Sequence, residues 1–151
     1  MSLLLIPFAS YHNSLNPIIA LLDPALHSHS YVRSRSSVLF TAIICVACRF
    51  VRPHVWEQCN ALGQTLLGRA LADGICSIEY VQALSLMTFW KDPRDSSSWR
   101  KVGLAIRMAY ELNLHEARED PLPTDDMSAR EQLVGAFLNF WASFNLVVVL
   151  E

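Results

Sequence analysis

Charge is scarce in this sequence and nowhere concentrated. Only 17% of the 151 residues are charged, and the twelve basic residues are scattered along the chain. A nucleic-acid surface needs clustered basic side chains to neutralise phosphates. Arg33 and Arg35 are two basic residues close together, too few for a phosphate-binding stripe, and we interpret them as a solvent-exposed helix start. We therefore expect no direct nucleic-acid contact from this chain.

Motifs for metal binding and catalysis are also missing. Cys45 and Cys48 form a C-x-x-C pair, but no second cysteine or histidine pair follows at zinc-binding spacing. The four cysteines lie in or beside apolar segments, where a reduced thiol behaves as a small hydrophobe. No nucleophile stands beside a base, and no carboxylates show catalytic spacing. The sequence predicts no metal, no cofactor and no enzymatic activity in this chain, and a reducing intracellular compartment.

Apolar residues are abundant instead. They make up 52% of the chain, which is the opposite of a disordered composition. The length suits a single domain, and strand-like alternation of polar and apolar residues is absent. These features predict an all-α fold, an irregular bundle of five to six helices. We expect residues 1–30 to be poorly structured apart from a short apolar turn, and residues 31–151 to form the helical domain.

Turn and cap residues divide the helices. The first long helix is predicted from about Tyr31 or Ser34 to Phe50, and its apolar middle indicates burial. Pro53 begins the next segment, and Gly74 suits the residue after its last turn. One stripe of this second helix is predicted to face the core: Val55, Cys59, Leu62, Leu66 and Ala70.

The segment SIEYVQALSLMTFW is predicted to be the most buried helix. Ser77 is its expected cap, and Glu79 lies in the first turn, where a carboxylate meets the positive end of the helix dipole. Gln82 is one of the few polar residues that interrupt its apolar surface. A polar, serine-rich loop follows and is expected to cap the next helix, from Trp99.

The helix from Trp99 is amphipathic. Gly103 is interpreted as a point of close helix packing, and His115 follows the helix end, where a cation suits the dipole. Arg107 has two alternative partners: Glu111 in a solvated pair on the same helix, or Glu79 on the neighbouring one. One face is predicted to be apolar: Trp99, Val102, Ala105, Ile106, Ala109 and Leu112.

The last helix has a predicted S-x-x-E capping box at Ser128 and Glu131. The run from Leu133 to Leu150 then contains eighteen uncharged residues, just enough to span a membrane. Asn139, Ser143 and Asn145 lie within it and favour a core helix of a larger domain instead. We expect no membrane association, and the small membrane-anchored protein remains an alternative interpretation.

Three stretches in one order resemble a known family. Leu21 to Ile43, Ser77 to Trp90 and Ala105 to Glu116 (AIRMAYELNLHE) look like successive blocks of the fungal-specific transcription factor domain. That domain is the middle regulatory region of fungal binuclear zinc-cluster transcription factors. The resemblance covers roughly Pro17 to Phe144, and it implies the N-terminal half of the regulatory domain.

The resemblance also implies a function. It predicts a non-catalytic module that regulates RNA polymerase II transcription in the nucleus, through other parts of the same factor or proteins of the transcription machinery. In that family zinc and DNA belong to a six-cysteine cluster, which this sequence lacks. Gly135 to Phe140 is apolar where the family would have arginines, and the chain looks like a truncated piece of a longer factor.

Two further expectations remain beside this one. A helical binder of a small apolar ligand is an alternative function, although no residue pattern marks a pocket. Self-association is a second expected mode of interaction, because truncation would expose an aromatic cluster near the C-terminus. This cluster consists of Phe137, Phe140, Trp141 and Phe144.

Overall fold

The computed structural model describes residues 4–116 and 121–135, and in these ranges the secondary structure is helical, with no strand. The predicted all-α irregular bundle is confirmed, with slightly more helices than expected. Residues 126–135 are also helical. The seven α-helices before them are α1 (Leu5–Ser10), α2 (Asn16–Ile19), α3 (His29–Arg35), α4 (Ser37–Val51), α5 (Pro53–Ala72), α6 (Ile78–Phe89) and α7 (Ser98–Glu111).

Helix α6 lies at the centre of the bundle. Every residue from 80 to 88 is buried, as predicted for this helix. Helix α4 packs against both α5 and α6, and α7 packs against α6. The apolar middle of α4 is buried from Ala42 to Cys48, also as predicted. Burial of the apolar helices α4 and α6 supplies most of the hydrophobic stabilisation.

The N-terminal segment differs from the prediction for residues 1–30. Residues 5–19 are helical, including a π-helical turn, and the Tyr11 ring is fully buried. The Asn16 side chain binds both backbone groups of Leu22, at 2.7 Å to its oxygen and 3.0 Å from its nitrogen. This pair of hydrogen bonds satisfies buried backbone groups after α2, so the segment folds onto the core.

The predicted first long helix is two helices. Ser36 adopts an extended conformation between α3 and α4, with φ −150° and ψ 113°. Its side chain accepts a hydrogen bond from the Leu39 N–H at 3.1 Å. A serine oxygen that binds a free N–H of a helix start is an N-cap, and here it allows the chain to turn.

The buried stripe of α5 is also displaced from the predicted one. Leu62 is 53% exposed, whereas Leu67 is 5% exposed. The inward positions are Gly63, Leu67 and Ala70. A Cβ on Gly63 would lie 3.2 Å from Met87 Cε, so this glycine permits close packing of α5. The sequence prediction assigned that role to Gly103.

The predictions for helix ends have mixed outcomes. Ser77 caps α6 by accepting a hydrogen bond from Tyr80 N–H at 3.2 Å. Gly74 has the left-handed conformation expected after α5, with φ of 69°, and Asn113 is also left-handed after α7, with φ of 55°. The predicted Ser128 capping box is wrong, because Asp125 accepts hydrogen bonds from both the N–H and the hydroxyl of Ser128.

Among the residues described, no helix is long and apolar enough to cross a membrane. Most of the segment from Leu133 to Leu150 lies outside those residues, as do Phe137, Phe140, Trp141 and Phe144. The expectations about a membrane span and about self-association through these aromatic side chains stay predictions.

Candidate functional site

An open groove of about 610 Å³ lies between α5 and α7, with α6 as its floor. Each wall presents residues at i, i+3, i+4 and i+7 of one helix, which is a single helical stripe. The floor consists of Tyr80 and Leu84. The wall residues are Gln64, Leu67, Gly68 and Leu71 on α5, and Arg100, Gly103, Leu104 and Arg107 on α7. We call this feature the α5–α7 groove.

Trp99 lies at the start of α7 and also lines the groove. It is 55% exposed, so its predicted place on the buried face is wrong. The side chains that face inward on this first turn are Ser98, Lys101 and Val102. Lys101 occupies an inward position because it has a carboxylate partner there. The indole is left as an apolar surface beside the α5–α7 groove.

The partner of Lys101 is Asp95, in the loop before α7. The Lys101 Nζ to Asp95 Oδ2 distance is 2.6 Å, and the side chains are 10% and 15% exposed. Burial would raise the pKa of Asp95, but Lys101 and Ser97 outweigh it and lower that pKa to about 2. The Asp95 carboxylate is therefore ionised at neutral pH, and its contact with Lys101 fixes the loop at one end of the groove. The sequence analysis identified this loop as polar but did not predict the contact between Asp95 and Lys101.

Arg100 and Arg107 form the positive rim of the groove. Both side chains are exposed, and no described carboxylate lies within 4 Å of either guanidinium. The hypothesis that Arg107 binds Glu79 is wrong, because Glu79 Oε1 accepts a hydrogen bond from Arg35 Nε at 3.1 Å. The alternative pair of Arg107 with Glu111 does not form either.

The glycines of the groove walls are not packing points. A Cβ on Gly68 would have no heavy atom within 4 Å. A Cβ on Gly103 would meet only Arg107 Nη1, at 3.7 Å on the same helix, so the interpretation of Gly103 as a close-packing residue is wrong. Both glycines lower the walls of the groove rather than bring two helices of this chain together.

Gly68→Ala is expected to raise the free energy of unfolding by about 0.5 to 1 kcal/mol. Alanine is the better helix former, and the new methyl group would enter open space. Urea denaturation of both proteins measures the difference. A lower stability for the alanine variant would contradict the open space seen above Gly68.

Gln82 and His27 form a buried polar pair between α6 and the segment before α3. Gln82 is fully buried and His27 is 2% exposed. The Gln82 Nε2 to His27 Nε2 distance is 3.1 Å, and His27 Nδ1 lies 3.1 Å from the Asp23 carbonyl oxygen. The Asp23 N–H also donates to Nδ1 of the neutral ring, at 3.0 Å, so Nδ1 faces both backbone groups of Asp23 and Nε2 faces the Gln82 amide. Burial lowers the pKa of His27 and favours this neutral form.

Stability is expected to fall from about pH 7.5 to about pH 5.5 because of His27 and His12. Burial lowers the pKa of both groups, and the charge of His27 further lowers that of His12. The unfolded chain then binds more protons in this range, so stability is fully present above the unfolded pKa and is lost below it. Thermal unfolding across the range measures the effect, and His12→Leu should reduce it. A flat profile in the unaltered chain would contradict this prediction.

A second polar cluster joins residues 126–135 to the N-terminal region. Arg130 Nη1 lies 2.7 Å from Asp23 Oδ2, and Tyr31 donates a hydrogen bond to Glu131 Oε1 at 2.8 Å. Burial of the Tyr31 hydroxyl, together with the Glu131 carboxylate, raises the pKa of Tyr31 to about 12. Burial opposes ionisation of Asp23, but the hydrogen bonds from Arg130 and the Ala25 N–H, together with the Arg130 charge, outweigh it and lower that pKa. These contacts were not predicted, since their partners lie about a hundred residues apart.

The remaining predicted residues lie outside the groove. His115 is exposed, with its ring 4.5 Å from that of Tyr110. Glu111 is exposed and lies near Cys76, where burial and the Glu111 carboxylate raise the thiol pKa. Ser77 and Glu79 serve the start of α6 and its contact with Arg35. The groove thus unites only Trp99, Gly103 and Arg107 of the predicted set.

The cysteines of the C-x-x-C pair are buried, unpaired thiols. Burial raises the pKa of Cys45 to about 12 and that of Cys48 to about 11, so both remain protonated. A metal ligand must be a thiolate. Among the described side chains, no group of three or more histidine, cysteine, aspartate or glutamate residues is placed to hold a metal ion.

The helical bundle and its open groove define an all-α domain with a solvent-facing cleft. Its sequence matches the fungal specific transcription factor domain over residues 7–143, and the chain belongs to this family, which acts in fungal transcription regulation. The resemblance stated from the sequence is thereby confirmed. The chain is also 43% identical over 104 residues to Protein priB of Lentinula edodes. The match covers 67% of this chain and 16% of that protein. No solved structure matches.

Proposed function

We propose that this chain is a non-catalytic regulatory module of a nuclear transcription factor. It acts by protein contacts, either with other parts of the same factor or with the transcription machinery. The observation that carries this proposal is the α5–α7 groove, an apolar cleft with an exposed indole and two arginines that have no carboxylate partner in the described chain. Family membership supports the setting in transcription.

The chemistry of the groove favours binding over catalysis. Its lining includes Tyr80 and Lys101, which are groups that could serve in acid-base chemistry. The Tyr80 hydroxyl, however, donates to the Leu67 carbonyl oxygen at 2.6 Å, and Lys101 is held by Asp95. Neither group is free to act on a bound molecule. What the groove offers instead is apolar surface and positive charge.

A reporter assay in fungal cells tests this function. The 151-residue chain is placed between a heterologous DNA-binding domain and an acidic activation segment, and an inert linker of equal length replaces it in the reference fusion. We expect nuclear localisation without an added signal and several-fold lower reporter output with the chain than with the linker. Trp99→Ala should restore output, because it removes the exposed indole.

The matched control is Leu62→Ala, which removes an equally exposed apolar side chain from α5 without altering the groove lining. This variant should regulate as the unaltered chain does. Equal output from the chain and the linker fusion, at equal protein levels, would contradict a regulatory role. Exclusion of the chain from the nucleus would contradict the proposed location.

A further inference from the structure

We infer that the α5–α7 groove binds an acidic amphipathic helix of a protein partner. This inference rests on the proposed function and names the partner's chemistry. Three properties of the groove lead to it: its helix-like geometry, its apolar lining and the position of its positive charges.

The geometry suits a helix. The groove walls are two helical stripes of equal length, and the floor is the buried helix α6. A guest helix seated between α5 and α7 would form a third member of their layer, with its own apolar stripe toward α6. Gly68 lies on the α5 wall and Gly103 lies on the α7 wall. The missing side chains would allow the backbone of the guest to approach closely.

The apolar surface is sufficient for anchoring side chains. Trp99 is 55% exposed and Leu71 is 50% exposed, and both line the groove. Leu104 on the α7 wall is partly buried and also lines the groove. Large apolar residues at i, i+4 and i+7 of a guest helix would cover this surface. A desolvated indole is also typical of residues that contribute most to binding.

The positive charge on the groove rim indicates that the partner is acidic. Arg100 and Arg107 lie seven residues apart on one helix face, which corresponds to about 10.5 Å along the axis. The other basic side chain of the groove, Lys101, is neutralised by Asp95. The α5 wall contributes only the uncharged Gln64 to polar contact. Carboxylates at i and i+7 of a guest helix would pair with both guanidinium groups.

The charge count also favours a peptide over a nucleic acid. Phosphate-backbone binding relies on many cations, and its affinity falls steeply with salt. Two arginines beside an apolar floor match a helix with one apolar face and a few acidic residues. A single carboxylate on a small apolar molecule would use only one of them.

Fluorescence anisotropy with designed peptides tests the inference. The probe is a fluorescein-labelled helical peptide of about 18 residues, with leucine and phenylalanine on one face and glutamates beside it. A second peptide has lysine at every glutamate position. We expect saturable binding of the glutamate peptide to the 151-residue chain, and affinity for the lysine peptide at least about tenfold lower.

Two sets of variants locate the binding. The double variant Arg100→Glu with Arg107→Glu should lower affinity for the glutamate peptide by at least about tenfold and raise that for the lysine peptide. Arg33→Glu is a charge-reversal control outside the groove, since Arg33 is exposed on α3 and does not line the groove. Gly68→Leu should abolish binding by filling the groove, whereas Gly68→Ala should preserve it. Circular dichroism verifies that each variant is folded.

The results that would overturn this inference differ from those that would refute the proposed function. No saturable binding of the glutamate peptide, or equal binding of both peptides, would overturn the inference. Binding of decanoate at the groove, with no binding of either peptide, would overturn it in favour of a small apolar ligand. Peptide binding with no effect in the reporter assay would instead refute the regulatory function alone. Reporter regulation without peptide binding would refute only the acidic-helix partner.

Discussion

Lys101→Ala is expected to lower the free energy of unfolding by about 2 to 4 kcal/mol. The substitution leaves the Asp95 carboxylate largely buried without its cation. An uncompensated buried charge costs more than the net contribution of the original pair. The remaining hydrogen bonds from Ser97 to Asp95 keep the loss within this range. Urea denaturation of the two proteins measures the difference.

A double-mutant cycle separates this pair from loss of packing. Adding Asp95→Asn to the Lys101→Ala variant removes the stranded charge and should recover part of the lost stability. Since the pKa of Asp95 is about 2 in the folded chain, the coupling should persist at mildly acidic pH. Strictly additive effects of the two substitutions would show that the ion pair does not form.

Leu67→Ala is expected to lower the free energy of unfolding by about 2.5 to 4 kcal/mol. Leu62→Ala should change it by less than about 0.5 kcal/mol. Both residues lie on α5, but Leu67 is 5% exposed and Leu62 is 53% exposed. Removal of a buried leucine side chain loses transfer free energy and leaves a cavity. Chemical denaturation of the two variants gives the comparison. A larger loss of stability for Leu62→Ala than for Leu67→Ala would support the buried stripe predicted from sequence and contradict the observed orientation of α5.

Some helix ends could be predicted from the sequence, and others could not. Ser77 and Gly74 have the cap and left-handed roles assigned from sequence, because their chemistry acts within a few residues. Ser36 and Asp125 were missed for a related reason. Serines and aspartates are frequent in these polar stretches, and the one that becomes the cap is decided by where the following helix packs.

Helix orientation was less predictable. The α5 stripe was assigned by counting apolar side chains, but the inward face includes Gly63, which contributes none. Close approach of Met87 determines that face. The Trp99 error has a similar origin, because an apolar count cannot show that Lys101 would be buried beside Asp95. In both cases tertiary packing overrides the local pattern.

The groove itself was not predicted at all. Its walls come from two stripes separated by about thirty residues, and either stripe alone is typical of an ordinary helix surface. The sequence analysis identified three of the lining residues, but it assigned Trp99 and Gly103 to packing inside the chain and Arg107 to an ion pair with Glu111 or Glu79. The structure leaves the Trp99 indole exposed and gives Arg107 no described carboxylate partner. The family resemblance could be found because it depends on residue order rather than on packing.

The reporter assay with two substitutions at Gly68 tests most directly whether the α5–α7 groove is the regulatory surface. Gly68→Leu would fill the groove, while Gly68→Ala would add only a methyl group in open space. We expect the alanine variant to lower reporter output as the unaltered chain does, and the leucine variant to lose this effect at equal protein levels. Equal regulation by the two variants would contradict a regulatory role for the groove.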